Sequence, residues 1–439
     1  MIFVRGDVPS VQAVATTLDL FGSISGLVAN TDKTNIYFGG VASNVKQMIK
    51  QITGYTEDTF PFRYLGLLLH DSRLLTSMYH ALLSKIQTSV KHWTTKLLSY
   101  AGRLQFLTSI LFGLENYWCN ILLMPATVLK LLNKFCRDYL WSATIDQHKL
   151  YMKSWTSCCC PWEEGGFNIK EVLSWNKANL CKWLWKLMQP TDSLWALWHI
   201  KYNLKHDTIW STSSSPYHSE SWRSILHSRD CLLQMCGTAD AAVQALRECV
   251  SPSGKFQVSL AYELFRPHFP KVRWGKAVWH STIIPKHSFI SAMAAQQKLA
   301  TVDNLVRRGF YLVNRCVLCL QASETHRHLF FQCEFSGELW RSVLGWMGIQ
   351  GRTAKYWQEL SWCSSRYAKK HWKSGWFRCC LAATIYFIWQ ERNARIFGGK
   401  TSTIHTLATQ LRFAVGTRLI GKYGSGNKEM LRHLNPIYT

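Results

Sequence analysis

Apolar positions in the first residues recur at helical spacing. Val11, Val14, Leu18 and Phe21 share one face of residues 8–22, and Gly22 follows as a C-cap, so this stretch predicts a helix. "NTDKTNIYFGG" then predicts a turn and a short strand, Ile36 to Phe38, closed by a Gly pair. "FRYLGLLL" (62–69) predicts a second strand. From Leu74 to Trp141 the pattern is helical, interrupted at Gly102, Gly113 and Pro125. The Ser run at 211–215 with Pro216 reads as a linker, and "SPSGKFQVSLAYELF" as a turn, a short extended piece and a helix entry. A turn-rich stretch around Gly345 to Thr353 precedes a helical tail over roughly 355–397, and no internal repeat is visible. The pattern predicts a mainly α, multi-domain protein.

Length changes this picture only by adding domains: 439 residues exceed one ordinary core, which predicts two to four. Charge changes it more. Lys+Arg number 51 against Asp+Glu 26, a net +25 spread along the whole chain. Such a field predicts a polyanionic partner, RNA or DNA, bound non-specifically. The 21 tryptophans need burial or a stacking partner. "MIFVRGDVPS" has no apolar h-region, and no run approaches the roughly twenty apolar residues of a membrane span. No membrane association is expected. Fifteen cysteines without a leader predict an intracellular, reducing setting, in which paired Cys are ligands or core residues.

The densest chemistry lies in "CVLCLQASETHRHLFFQC". Cys316, Cys319, His328 and Cys333 give C-x2-C-x8-H-x4-C. Two cysteines three apart can present both sulfurs from one tight turn, and a His and a Cys five apart can do so from one helical turn and its end. Three thiolates and one imidazole form a closed tetrahedral set, which suits structural Zn2+ and leaves no position for catalysis. His326 competes with His328, and the two point in different directions on a helix. The bland alternative is a pair of buried Cys and an incidental His.

Around this cluster the sequence resembles a known family. "VWHSTIIPKHSFI" (278–290), "KLATVDNLVRRG" (298–309), "CVLC", "ETHRHLFFQC" and the trailing "LW" (339–340) are similar to the reverse-transcriptase zinc-binding module of plant non-LTR (LINE-type) retrotransposons. The resemblance picks Cys316, Cys319, His328 and Cys333, and prefers His328 to His326 because His328 opens "HLFF". One departure is "SAMA" (291–294), where family members carry a large ring. Further segments resemble the same elements. "SGLVANTDKTNIYFGG" (25–40) is similar to the end of the polymerase palm, "WTTKLLSYAGRLQFLTSIL" (93–111) to the thumb, and "CPWEEGGFNI" (160–169) to the connecting region.

The resemblance implies a palm-end remnant of small α+β character over 1–70 and a thumb-like helical region over 71–150. A connector follows over 151–250, then a helical zinc-binding domain over 255–345 and a helical tail over 355–439. It also implies a missing part. Reverse transcriptases need carboxylates holding two metal ions about 4 Å apart. In this family they form an Asp-Asp dipeptide just before a segment like "MIFVRGD", with which this chain begins, and no Asp-Asp occurs in the 439 residues. The expectation is a truncated, catalytically incomplete remnant, not an enzyme, that binds zinc and retains non-specific RNA or DNA binding. The alternatives are a fragment of an active RNA-directed DNA polymerase, or a protein-interaction module built on the zinc domain. By analogy with such elements, its place is the nucleus.

Candidate phosphate contacts are Lys91, Lys96 and Arg103, interleaved with Trp93 and Tyr100, and Arg307 and Arg308 beside the zinc cluster. A charged outer face with aromatics in the core is the competing reading for the first three. Lys33 reads as a solvated turn residue. Trp175, Trp183, Trp185, Trp195 and Trp198 read as core, and the consecutive Cys158 to Cys160 as incidental.

Overall fold

A computed structural model describes residues 1–64, 67–69, 79–92, 98–120, 124–142, 151–190, 192–310, 313–349, 372–424 and 426–434. Two compact units divide the chain, residues 1–80 and 81–439. The fold is mainly helical, as the sequence pattern predicts.

The first unit opens with the helix Val8–Ser25. Asp7 caps it by accepting the Ser10 N–H at 2.8 Å, and it runs three residues beyond the expected stop at Gly22. It ends at Gly26, whose φ of +73° is the left-handed conformation that glycine adopts without a Cβ clash. The strand expected at Ile36 to Phe38 covers only Asn35–Ile36 and pairs in parallel with Thr56–Glu57. The single strand expected at 62–69 is instead an antiparallel hairpin, Phe62–Tyr64 against Leu67–Leu69. Among the described residues each short strand therefore has one neighbour. Tyr37, just past the first strand, stacks on Phe62 with ring centroids 3.9 Å apart.

The second unit begins with His80–His92, most of which lies within it. The glycines expected to interrupt the helical run do not do so. Gly102 and Gly113 sit in the first turns of Tyr100–Phe106 and Phe112–Cys119, and a π-helical turn, Leu107–Leu111, joins the two. Pro125 does precede a new helix, Ala126–Ser142. One part of the core forms where Val172–Met188 crosses Glu220–Cys236 and Val258–Phe265, around Leu180, Leu184, Trp222 and Tyr262. Trp175, Trp183, Trp185 and Trp195 pack against it half-buried, while Trp198 is exposed. The 211–216 loop is not a boundary between units. The buried Arg229 donates to the carbonyls of Ile209 (2.8 Å) and Thr212 (2.5 Å) and ties that loop to the core.

The other part of the core centres on Pro285–Ala295, which packs against Tyr100–Phe106 and against the long helix Trp372–Gly398. Phe289 stacks on Tyr100 at 5.2 Å. "SAMA" packs into this core, with the buried Ser291 hydroxyl left without a hydrogen-bond partner. Ser291, Ala292, Met293 and Ala294 are all buried, as are Ala382 and Ala383 of the long helix, so small side chains allow close approach. Ile404–Tyr423 then packs along Trp372–Gly398. No described helix is long and apolar enough to cross a membrane.

Candidate metal centre

Cys316 and Cys319 lie on one tight turn, closed by Leu320 N–H donating to Cys316 C=O at 2.8 Å. Within it the backbone N–H groups of Leu318 and Cys319 point at the Cys316 sulfur. Leu320 leaves the turn with φ +60°, a conformation that costs a side-chain-bearing residue about 1–2 kcal/mol.

His328 and Cys333 come from the next element. His328–Gln332 is a single π-helical turn, and Cys333 N–H donates to His328 C=O at 2.7 Å, five residues back. That wider turn lets side chains five apart face the same point. Cys333 is also the N-cap of Glu334–Trp346, and the N–H groups of Phe335 and Ser336 point at its sulfur. A helix N-terminus favours negative charge, here a thiolate.

The four donor atoms all lie within 4.8 Å of one another, and Cys319 Sγ stands 3.2 Å from His328 Nε2. Ligands on a tetrahedral zinc ion sit about 3.6–3.8 Å apart, given ordinary Zn–S and Zn–N lengths. Cys316 and Cys333 are buried, and Cys319 and His328 half-buried. The Cys316 thiol is raised above its ordinary pKa, first by its hydrogen bond to Cys333 and then by burial. Cys333 is lowered, chiefly by accepting that bond. The donor set fits a closed, structural Zn2+ site. Among the described residues it is the one group of three or more metal-capable side chains that converges.

His326 is committed elsewhere. Its Nε2 accepts the Leu299 N–H at 3.2 Å, and its Nδ1 meets Thr301 Oγ1 at 3.2 Å. Burial pushes its pKa down to about 4, so the ring is neutral. The Cys158 to Cys160 run is buried. The Cys160 thiol hydrogen-bonds to the carbonyls of Thr156 (3.4 Å) and Ser157 (3.2 Å).

Segment 256–340 matches the family model described as zinc-binding in reverse transcriptase. This segment is similar to a reverse-transcriptase zinc-binding domain. The chain is also 30% identical over 156 residues to a protein from Arabidopsis thaliana named as a ribonuclease H protein. That match covers 35% of this chain and 25% of the relative, so the chain spans about a quarter of the length of the curated protein it matches. Both findings agree with the resemblance to a retrotransposon reverse transcriptase.

The matched segment is held by residues outside it that the sequence reading did not single out. Arg392 of the long helix meets Glu324, which lies between the two ligand pairs. Arg395 donates to the carbonyls of Val317 (3.3 Å) and Leu318 (3.2 Å), inside the Cys316–Cys319 turn, and its guanidinium lies over the Phe335 ring. Charged residues embedded in apolar runs, "ETHRHLFF" and "IYFIWQERNARIF", were the available signal, because such residues are rarely buried unless paired.

The predicted phosphate contacts fare differently. The side chain of Lys91, and Lys96 together with Trp93, lie outside the described residues. Arg103 is half-buried and turned inward. It donates to Leu140 C=O at 3.2 Å and lies over the Tyr100 ring, so it caps the end of Ala126–Ser142. Arg307 is exposed and folds back on Asp303 (3.2 Å) and Asn304 (2.5 Å). Arg308 is exposed, and so is Lys33.

Proposed function

We propose that Cys316, Cys319, His328 and Cys333 hold one structural Zn2+ ion. We read the chain as a nucleic-acid-binding remnant of a plant LINE-type (non-LTR) reverse transcriptase that does not itself join nucleotides. The observation that carries the zinc reading is the convergence of the four donors within 4.8 Å, with backbone N–H groups directed at two of the sulfurs. Zinc bound there supplies no reaction step. It ties the Cys316–Cys319 turn to the start of Glu334–Trp346, and these residues release thiol protons to take it. The nucleic-acid reading rests on the net +25 together with the reverse-transcriptase relationship.

The reading that this chain adds no nucleotides rests on the lack of an Asp-Asp dipeptide in its 439 residues. A second reading is favoured by the relative, three quarters of whose length lies outside the match. In it, the same residues form part of a longer, active polymerase. In-frame codons for an Asp-Asp pair directly upstream of Met1 would support that reading.

Native mass spectrometry of the full chain, wild type beside Cys316→Ser, tests the zinc reading. One zinc per wild-type chain and none in the variant is expected. Absence of zinc from the fully reduced wild type overturns the reading. Incorporation of labelled nucleotide on a primed template by this chain alone would overturn the non-enzyme reading.

A further inference from the structure

A cavity of about 600 Å³ opens between residues 151–164 and the Gln296–Arg308 stretch of the zinc-binding domain. Arg137, Lys153, Lys298 and Arg308 line it, and Glu164 is the one acid among its lining residues. Glu164 is already neutralised. Arg266, which does not line the cavity, grips it at 2.6 and 2.8 Å, and the Phe269 N–H donates to it at 2.9 Å. Arg137 lies over the Tyr151 ring with its Nε 3.5 Å from Asp138. Lys153, Lys298 and Arg308 have no carboxylate partner among the described residues.

Lys153 is the informative member. It is 7% exposed, and its ammonium donates to Gly165 C=O at 2.6 Å and to Gln296 Oε1 at 2.5 Å. Both acceptors are neutral, and an ammonium carries a third donor. Burial, with the charge of Lys298 as a lesser contribution, lowers its pKa. The Phe167 ring, 5.1 Å from the ammonium, offsets part of this desolvation, and an anion entering among the three cations offsets the rest. The wall adds an aromatic surface, since Trp155 is fixed there by its indole N–H on Asn133 Oδ1 at 3.0 Å. The volume exceeds that of a lone phosphate and suits a nucleotide-sized unit. A duplex is too wide to enter, whereas a single strand can place one phosphate and one sugar-base unit inside.

We propose that this cleft is a binding site for the backbone of a single RNA or DNA strand. One phosphate lies between Lys298 and Arg308 at the mouth, with the Lys153 ammonium behind it. The site deepens the nucleic-acid reading above and rests on it.

The test is binding of a labelled single-stranded oligonucleotide to the full chain across a salt series. Lys298→Gln with Arg308→Gln is compared with a control of equal net charge, Lys255→Gln with Lys428→Gln, all four residues being exposed. Matched melting curves and zinc content for both doubles establish folding. The site double is expected to bind about tenfold more weakly, with a salt slope shallower by about 0.7, as the loss of one neutralised phosphate on a single strand requires. The control is expected to stay within about twofold, and the charge-conserving pair Lys298→Arg with Arg308→Lys to retain most of the affinity. Equal weakening of the site and control doubles overturns the cleft, because charge alone would then account for binding. Unchanged binding in the site double overturns the cleft while leaving the nucleic-acid reading standing. A wild-type chain with no salt-sensitive binding overturns both.

Discussion

Arg392 and Glu324, 68 positions apart in the chain, meet as a desolvated ion pair inside the second unit. Arg392 Nη2 lies 2.7 Å from Glu324 Oε1, and its Nε lies 3.2 Å from each carboxylate oxygen. The same carboxylate accepts the Val302 N–H at 2.8 Å, and the Glu324 N–H donates to Asn314 Oδ1 at 2.7 Å. The loop between the Cys316–Cys319 and His328–Cys333 pairs is thereby tied both to the long helix and to the start of the helix Val302–Val306.

Removing one partner leaves the other buried and uncompensated. Arg392→Met is expected to cost about 3–5 kcal/mol in urea denaturation with zinc saturating. Adding Glu324→Gln to it should recover part of that loss, since the orphaned charge disappears. A double variant as unstable as the sum of the singles would mean that the pair is not coupled.

The two histidines two residues apart should separate cleanly. His328→Ala is expected to abolish zinc in native mass spectrometry. His326→Ala should keep one zinc per chain and lose about 1–3 kcal/mol, because the buried Leu299 N–H loses its acceptor. Zinc loss in the second variant alone would reverse the ligand assignment.

Leu320 is 55% exposed and sits at φ +60° directly after Cys319. Glycine there relieves the left-handed strain at the cost of unfolded-chain entropy, for a net gain of about 0.5–1 kcal/mol. A higher melting temperature with unchanged zinc content is the expected outcome. A lower one would mean that the leucine side chain contributes more than its backbone costs.

His287 is buried, stacked on Tyr386 at 4.3 Å, and burial lowers its pKa to about 3. The unfolded chain, with an ordinary histidine, takes up the proton first as pH falls. The stability contributed by the neutral ring is therefore complete above about pH 6.5 and is lost progressively toward pH 3. Between pH 7 and pH 5 that loss is on the order of 2 kcal/mol. His287→Phe, which keeps a flat ring, should flatten the urea midpoint over this range relative to wild type. An identical pH dependence in the two would place the acid sensitivity elsewhere.

The convergent group of three cysteines and one histidine was legible in the sequence because its spacing is local. Four donors within eighteen positions can converge through one tight turn and one helical turn, whatever surrounds them. The helices were legible for the same reason, since apolar spacing and caps act over a few residues. Gly22 was a poor guide to a helix end, because glycine is tolerated within a helix and only the left-handed backbone at Gly26 ends it.

What the tertiary structure decided is where charge and polarity are buried. His326 and His328 carry the same chemistry, and the packing of Leu299 and Thr301 against His326 keeps it out of the converging Cys/His group. Arg103 has the sequence context of a phosphate contact, yet the end of Ala126–Ser142 supplies a carbonyl that holds it inward. The Glu324–Arg392 pair and the Lys153 cleft join residues tens of positions apart. Local spacing cannot foretell such pairings, because they exist only once the intervening chain has folded and excluded water from both partners.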